Sequence, residues 1–120
     1  MNRVELNRDC AVNVADLRLP TVIVDKVNAI VDALMNEFFH NIYKIILFGS
    51  YATNKWQPDS DIDLAVVLNE LPEMKDRIKY KLAVDIEDAD MLFCAKEQLD
   101  GDGPVFKRIK EHGILLYEQL

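Results

Sequence analysis

The chain has 120 residues, 50% of them hydrophobic, and a net charge of −7. That length suits one domain with a real core, and that hydrophobic content argues against a disordered chain. The acidic balance argues against direct nucleic-acid binding, which relies on lysine and arginine neutralising phosphates, but it does not hinder a nucleotide held through a metal. No window approaches the roughly 20 apolar residues of a membrane-spanning helix. Met1 to Glu5 opens no apolar leader. Cys10 and Cys94 show no metal-ligand spacing and read as reduced thiols of a cytoplasmic protein.

Residues 1–19 read as a peripheral N-terminal extension and residues 20–120 as a single domain. In the extension, Val12, Val14 and Leu17 suit either a short strand or a segment lying on the core, and a partner-docking role stays open. Pro20 to Phe39 predicts a helix, because Ile23, Val27, Ile30, Val31, Leu34 and Phe38 follow the i, i+3/i+4, i+7 stripe. Pro20 is tolerated in a first turn. Asp25, Lys26, Asn28, Asp32 and Asn36 fall mostly on the other side, and His40 reads as a surface residue at the helix end.

The apolar run Ile45-Ile46-Leu47-Phe48 is short, β-favouring and stopped by glycine, which predicts a buried strand. Gly49 permits a tight turn and a close approach to a ligand. Ser50 then opens a short helix whose free N–H groups attract phosphate. In the loop Tyr51–Ser60, Lys55 reads as an exposed lysine or a phosphate contact. Tyr51 and Trp56 suit stacking on a base, touching a partner or packing over the loop. Pro58, Asp59 and Ser60 are turn chemistry.

The next strand opens with Asp61 and Asp63. The period of two puts both carboxylates on one face, with Cα atoms roughly 6.5–7 Å apart, and sends Ile62, Leu64 and Val66 into a core. Two like charges side by side call for a cation between them. Mg²⁺ takes oxygen ligands, commonly one or two carboxylates plus substrate phosphates. Leu71 to Val84 predicts a second helix with Met74, Ile78 and Leu82 inward. Its Lys75, Arg77, Lys79 and Lys81 read as a solvated face balanced by Glu73 and Asp76, or as a site for a nucleotide tail or acidic partner. Met91 to Cys94 predicts a third strand after the acidic run that holds Asp85, Asp88 and Asp90. Gly103 to Gly113 predicts a last helix, with Val105, Phe106 and Ile109 inward and Lys107, Arg108 and Lys110 suiting the helix dipole. His112 decorates its end, and Ile114-Leu115-Leu116-Tyr117 closes the chain as an extended segment.

Gly49-Ser50, ten residues, then Asp61-Ile62-Asp63 resembles the nucleotidyltransferase superfamily that includes DNA polymerase beta, and above all its minimal nucleotidyltransferase (MNT) branch. Ala52, Pro58, Ser60 and Leu64 fit the family's usual residues. Thr53 stands where the family often has arginine, and Asn54 where it often has glycine. Asparagine tolerates a left-handed backbone, so the turn can survive. The resemblance spans about Pro20 to Tyr117, with specific motifs only between Phe48 and Leu64.

The resemblance implies an α+β, two-layer nucleotidyltransferase fold: a small mixed sheet with helices packed on one face. It implies ATP with its phosphates over Gly49 and Ser50, and Mg²⁺, two ions, on Asp61 and Asp63. A third carboxylate belongs on the neighbouring strand, where Asp90 is the best match, as metal ligand and general base for the acceptor hydroxyl. Asp88 shares its face, and Asp85 is a further alternative. The expected elements use up the chain, so the acceptor must come on another molecule. In the minimal family that partner is a helical HEPN-domain toxin, silenced by transfer of AMP to a tyrosine, which makes the nucleotidyltransferase an antitoxin. Two rivals are a binding module that caps a HEPN partner without catalysis and an enzyme that modifies a small molecule, as aminoglycoside nucleotidyltransferases do. Self-association is open.

Overall fold

The computed structural model describes residues 19–73, 78, 89–101 and 103–119. Helix α1 (Thr21–Phe38) begins where the Ile23 and Val24 amides donate to the Pro20 carbonyl at 2.9 and 3.1 Å. Ile23, Val27, Ile30, Val31 and Leu34 are buried, as the spacing predicts; Val24 joins the stripe, and Phe38 is only partly buried. Burying each of these side chains stabilises the fold by roughly 1.5–3 kcal/mol before chain entropy is counted. A single 3₁₀ turn (Phe39–Asn41) leads into β1 (Ile42–Phe48). Strand β2 is Ile62–Leu68 and β3 is Ala89–Ala95. The short α2 (Lys96–Leu99), α3 (Pro104–His112) and β4 (Ile114–Glu118) follow.

Among the described residues the sheet has the order β3-β2-β1-β4. Strand β1 runs antiparallel to β2 and β4, while β2 and β3 run parallel, so the sheet is mixed, as expected. Strand β1 starts three residues before the apolar run, because Ile42 pairs with Leu68. Tyr43 and Lys44 between them hid that extension from a hydrophobicity reading. The parallel pair needs a long crossover. Of the helix predicted from Leu71 to Val84, which falls there, Leu71 to Glu73 are not helical, Ile78 is helical but exposed where it was expected inward, and the rest lies outside the described residues, as do Asp85, Asp88 and residues 1–18.

Helix α1 covers one face of the sheet, where Ile45, Leu47, Ile62, Leu64, Val66 and Leu116 join its stripe in one core. The covering extends to the second face. Ile46, Ala65, Val67 and Cys94 point there and meet Leu99 of α2 and Ile109 of α3. Both faces of β2 are therefore apolar beyond Asp63, which fits a central strand.

Candidate active site

Asp63 shares the second face with Ala65 and Val67 by the period of two, and Asp90 shares it with Leu92 and Cys94. Parallel pairing sets Asp63 directly beside Asp90, so their backbones lie one strand spacing apart, about 4.8 Å. Asp61 sits one residue ahead of β2 and is exposed rather than lying on the strand. Its charge still reaches Asp63. Burial above all, then the charge of Asp90 and then that of Asp61, push the Asp63 carboxyl pKa above its ordinary value. Of the three predicted carboxylates, Asp63 lines the cleft described below, with Asp90 in register beside it on β3 and Asp61 two residues before it.

Gly49 closes on the same carboxylate. Phe48 pairs with Asp63 across β1 and β2, and Gly49 next to it has φ +78°. A Cβ built on Gly49 would run into Asp63 Oδ2 and lie 3.0 Å from Cγ. Glycine is needed here both for its backbone angle and for the space.

Beyond Gly49 the chain makes one 3₁₀ turn (Ser50–Ala52). The Ala52 amide donates to the Gly49 carbonyl at 3.1 Å, and the Thr53 and Lys55 amides donate to Ser50 at 3.3 and 3.0 Å. The Thr53 hydroxyl donates to the same two carbonyls, so this residue closes the turn and offers no charge. Asn54 adopts φ 59°, the left-handed angle that the family's glycine would take. Tyr51 is buried, donates its hydroxyl to the Ser60 carbonyl at 3.1 Å and stacks on Trp56 at 5.9 Å between centroids. Of the readings open for Tyr51, packing over the loop is the one observed. The Gln57 amide donates to Ser60 Oγ at 2.7 Å, which is the turn chemistry expected before Asp61.

A cleft of about 1000 Å³ opens at this end of the second face. Gly49, Ser50, Thr53, Lys55 and Asp63 line one side of it. Helix α3 supplies the other side through Val105, Arg108, Glu111 and His112. The spacing explains this: Phe106 and Ile109 turn inward onto the sheet, while positions 105, 108 and 112 share the next stripe. Val105 was expected inward and is instead 39% exposed on the cleft wall, because Phe106 and Ile109 already fill the inward stripe. Gly113 holds the helix in place, since a Cβ there would meet the Ile109 carbonyl and the Ile46 side chain. The sequence showed that Phe106 and Ile109 turn inward and that basic residues gather towards the end of α3. It did not show that Val105, Arg108 and His112 meet the serine turn around Ser50, far earlier in the chain.

The donors here are hard oxygens, and Asp63 carries unfavourable charge that a divalent cation would relieve. Among the described residues no group of three His, Cys, Asp or Glu is placed to enclose a metal. Oxygen donors of this kind suit Mg²⁺, and an ion here would take its remaining ligands from phosphate and water. Burial pushes the Cys94 thiol pKa up to about 11, so that buried sulfur is inert. Among the described residues no helix is long and apolar enough to cross a membrane.

Fold and site together set two neighbouring strand carboxylates beside a tight glycine turn at the edge of a cleft. The family profile described as Polymerase beta, Nucleotidyltransferase matches residues 28–119, and the chain belongs to that family; it is a nucleotidyltransferase. A candidate protein adenylyltransferase of Methanocaldococcus jannaschii is 36% identical over 50 residues, covering 36% of this chain and 50% of that protein. The chain thus matches about half the length of this curated relative. A candidate nucleotidyltransferase from Sulfolobus solfataricus shares the fold with a TM-score of 0.62 at 21% identity, over 79% of each chain. A toxin–antitoxin complex solved with AMP-PNP contains a chain 26% identical with a TM-score of 0.58, over 77% of this chain and 73% of that one. A chain from the complex of a tri-AMPylated HEPN toxin with its MNT antitoxin, from Shewanella oneidensis, shares the fold with a TM-score of 0.54 at 20% identity, over 78% and 71%.

Proposed function

We propose that this nucleotidyltransferase moves AMP from ATP to a hydroxyl, a tyrosine of a HEPN toxin partner, and so acts as an antitoxin. The observation that carries the reading is the Asp63 carboxylate packed against Gly49 with Asp90 in register beside it. A pure binding module has no use for carboxylates that oppose one another's ionisation. Support for the acceptor class comes from the solved toxin–antitoxin chains and from the adenylyltransferase relative.

In this reading Asp61, Asp63 and Asp90 would hold Mg²⁺, two ions, jointly with the triphosphate, and the metal would supply charge neutralisation for the attacking and leaving oxygens. Gly49 and Ser50 let the phosphates approach the backbone beside those carboxylates. Asp90 accepts the acceptor's proton. The acceptor oxygen bonds to the α-phosphorus, and the bond from that phosphorus to the bridging oxygen breaks. Pyrophosphate leaves with the electron pair. Positioning and charge complementarity carry most of the rate.

The test is transfer of α-labelled ATP with Mg²⁺ to the protein encoded beside this one. Label on that protein, lost by at least about 100-fold in Asp61→Asn, is the expected result. Tight complex formation with no label from any nucleotide would favour the capping module. Label on a small metabolite would move the reading to the small-molecule class.

A further inference from the structure

The cleft has one feature that the transfer chemistry leaves unexplained. A triphosphate brings several negative charges into a space already lined by Asp63 and Glu111. The lining residues include Lys55 on the loop side and Arg108 on the α3 side. Thr53, between the serine turn and Lys55, offers only a hydroxyl already donated to backbone carbonyls. His112 lies 3.8 Å from Glu111, its neighbour. Lys110, two residues along α3, donates to the Gly101 carbonyl at 3.2 Å and does not line this cleft. Neither Lys55 nor Arg108 makes an ion pair among the described residues.

We propose that Arg108 binds the triphosphate from the wall of the cleft opposite Lys55; the proposal rests on reading the cleft as the nucleotide site. Three observations carry it. Arg108 reaches the cleft from a helix whose inward stripe is fixed by Phe106 and Ile109, so its direction is set by packing and not by a mobile loop. Its planar guanidinium presents paired donors that match two phosphate oxygens, which the point charge of a lysine cannot do. It has no competing carboxylate partner among the described residues. Lys55 and Arg108 then hold the polyanion between two walls, and the carboxylates of β2 and β3 keep the reacting phosphorus. Arg108 is a binding and positioning residue. It has no role in moving the proton.

The experiment compares binding of AMP-PNP and AMP to the full chain with Mg²⁺ by calorimetry, for wild type, Arg108→Ala and Arg108→Lys. Arg108 is exposed, so equal melting temperatures are expected for all three. AMP-PNP should bind roughly 10–100-fold more weakly to Arg108→Ala, as for loss of a charged hydrogen-bond pair. AMP should change far less, Arg108→Lys should recover part of the loss, and the salt dependence of AMP-PNP binding should flatten. Unchanged AMP-PNP affinity in Arg108→Ala, or an equal loss for AMP and AMP-PNP, would overturn the assignment while leaving the nucleotide site standing. Absence of binding to the wild type would overturn both.

Discussion

The face of the sheet under α1 is apolar along its length, whereas the face under α3 is apolar at one end and acidic at the other. Both belong to the same strands. Along β2, Ile62, Leu64, Val66 and Leu68 serve the first face, and Asp63, Ala65 and Val67 serve the second. The first face gathers the larger core and takes the whole of α1. The second takes only short helices, and where they stop a cleft begins. One face stabilises the fold, and its surplus lets the other hold carboxylates that disfavour one another. Comparable substitutions on the two faces should therefore fail in different ways.

The largest effect expected is on the α1 face. Leu64 is fully buried there. Leu64→Ala should lower unfolding free energy by roughly 2–5 kcal/mol, the range for a buried leucine that leaves a cavity. Chemical denaturation measures it. Nucleotide transfer per folded molecule should stay near wild type. A stable Leu64→Ala protein with impaired transfer would contradict the division of labour between the faces.

Gly49→Ala is the matching change on the cleft side. Its methyl group must displace the Asp63 carboxylate and adopt a disfavoured angle at once. Transfer should fall by about 100-fold or more, while stability falls by roughly 1–3 kcal/mol from backbone strain. Labelled-ATP kinetics and denaturant melts on the same preparation separate the two. Wild-type transfer by this variant would mean that the position of Asp63 is not what the chemistry needs.

How much of this was legible beforehand differs between the faces too. The α1 stripe, the strand before Gly49 and the ten-residue spacing to Asp61-Ile62-Asp63 are local patterns, and local patterns survive in a sequence. The chain Asn54-Lys55 kept its turn without glycine because asparagine tolerates the left-handed angle. The pairing of Asp63 with Asp90 depends on the register of two strands joined by a long crossover. The period of two puts Asp88 on the same face as Asp90, and no spacing rule says which of them meets Asp63 before that register is known. The α3 wall was hidden for the same reason. Val105 looked like a core residue because helical periodicity gives a stripe its width, but not the neighbour it meets. Tyr51 looked available to a ligand because an aromatic in a loop can turn either way, until its hydroxyl is seen on Ser60.

The smallest effect expected is the most specific to the acidic end. Asp63 has a folded-state pKa raised by burial, by Asp90 and by Asp61, above the ordinary 3.8. Ionising it therefore costs more in the folded chain than in the unfolded one. Its contribution to stability is whole at pH values below the ordinary carboxylate pKa, where both states hold the proton, and is lost as pH rises through the folded value. Asparagine copies the protonated form and cannot ionise. Without divalent metal, Asp63→Asn should thus melt above wild type at neutral pH, with the gap closing as pH falls through the raised folded value and gone below the ordinary 3.8. Mg²⁺ should raise the melting temperature of the wild type more than that of the variant, which keeps only Asp61 and Asp90 to hold it. If Asp63→Asn melted below wild type in metal-free buffer at neutral pH, the three carboxylates would not be opposing one another, and the acidic end would differ from the apolar face in composition alone.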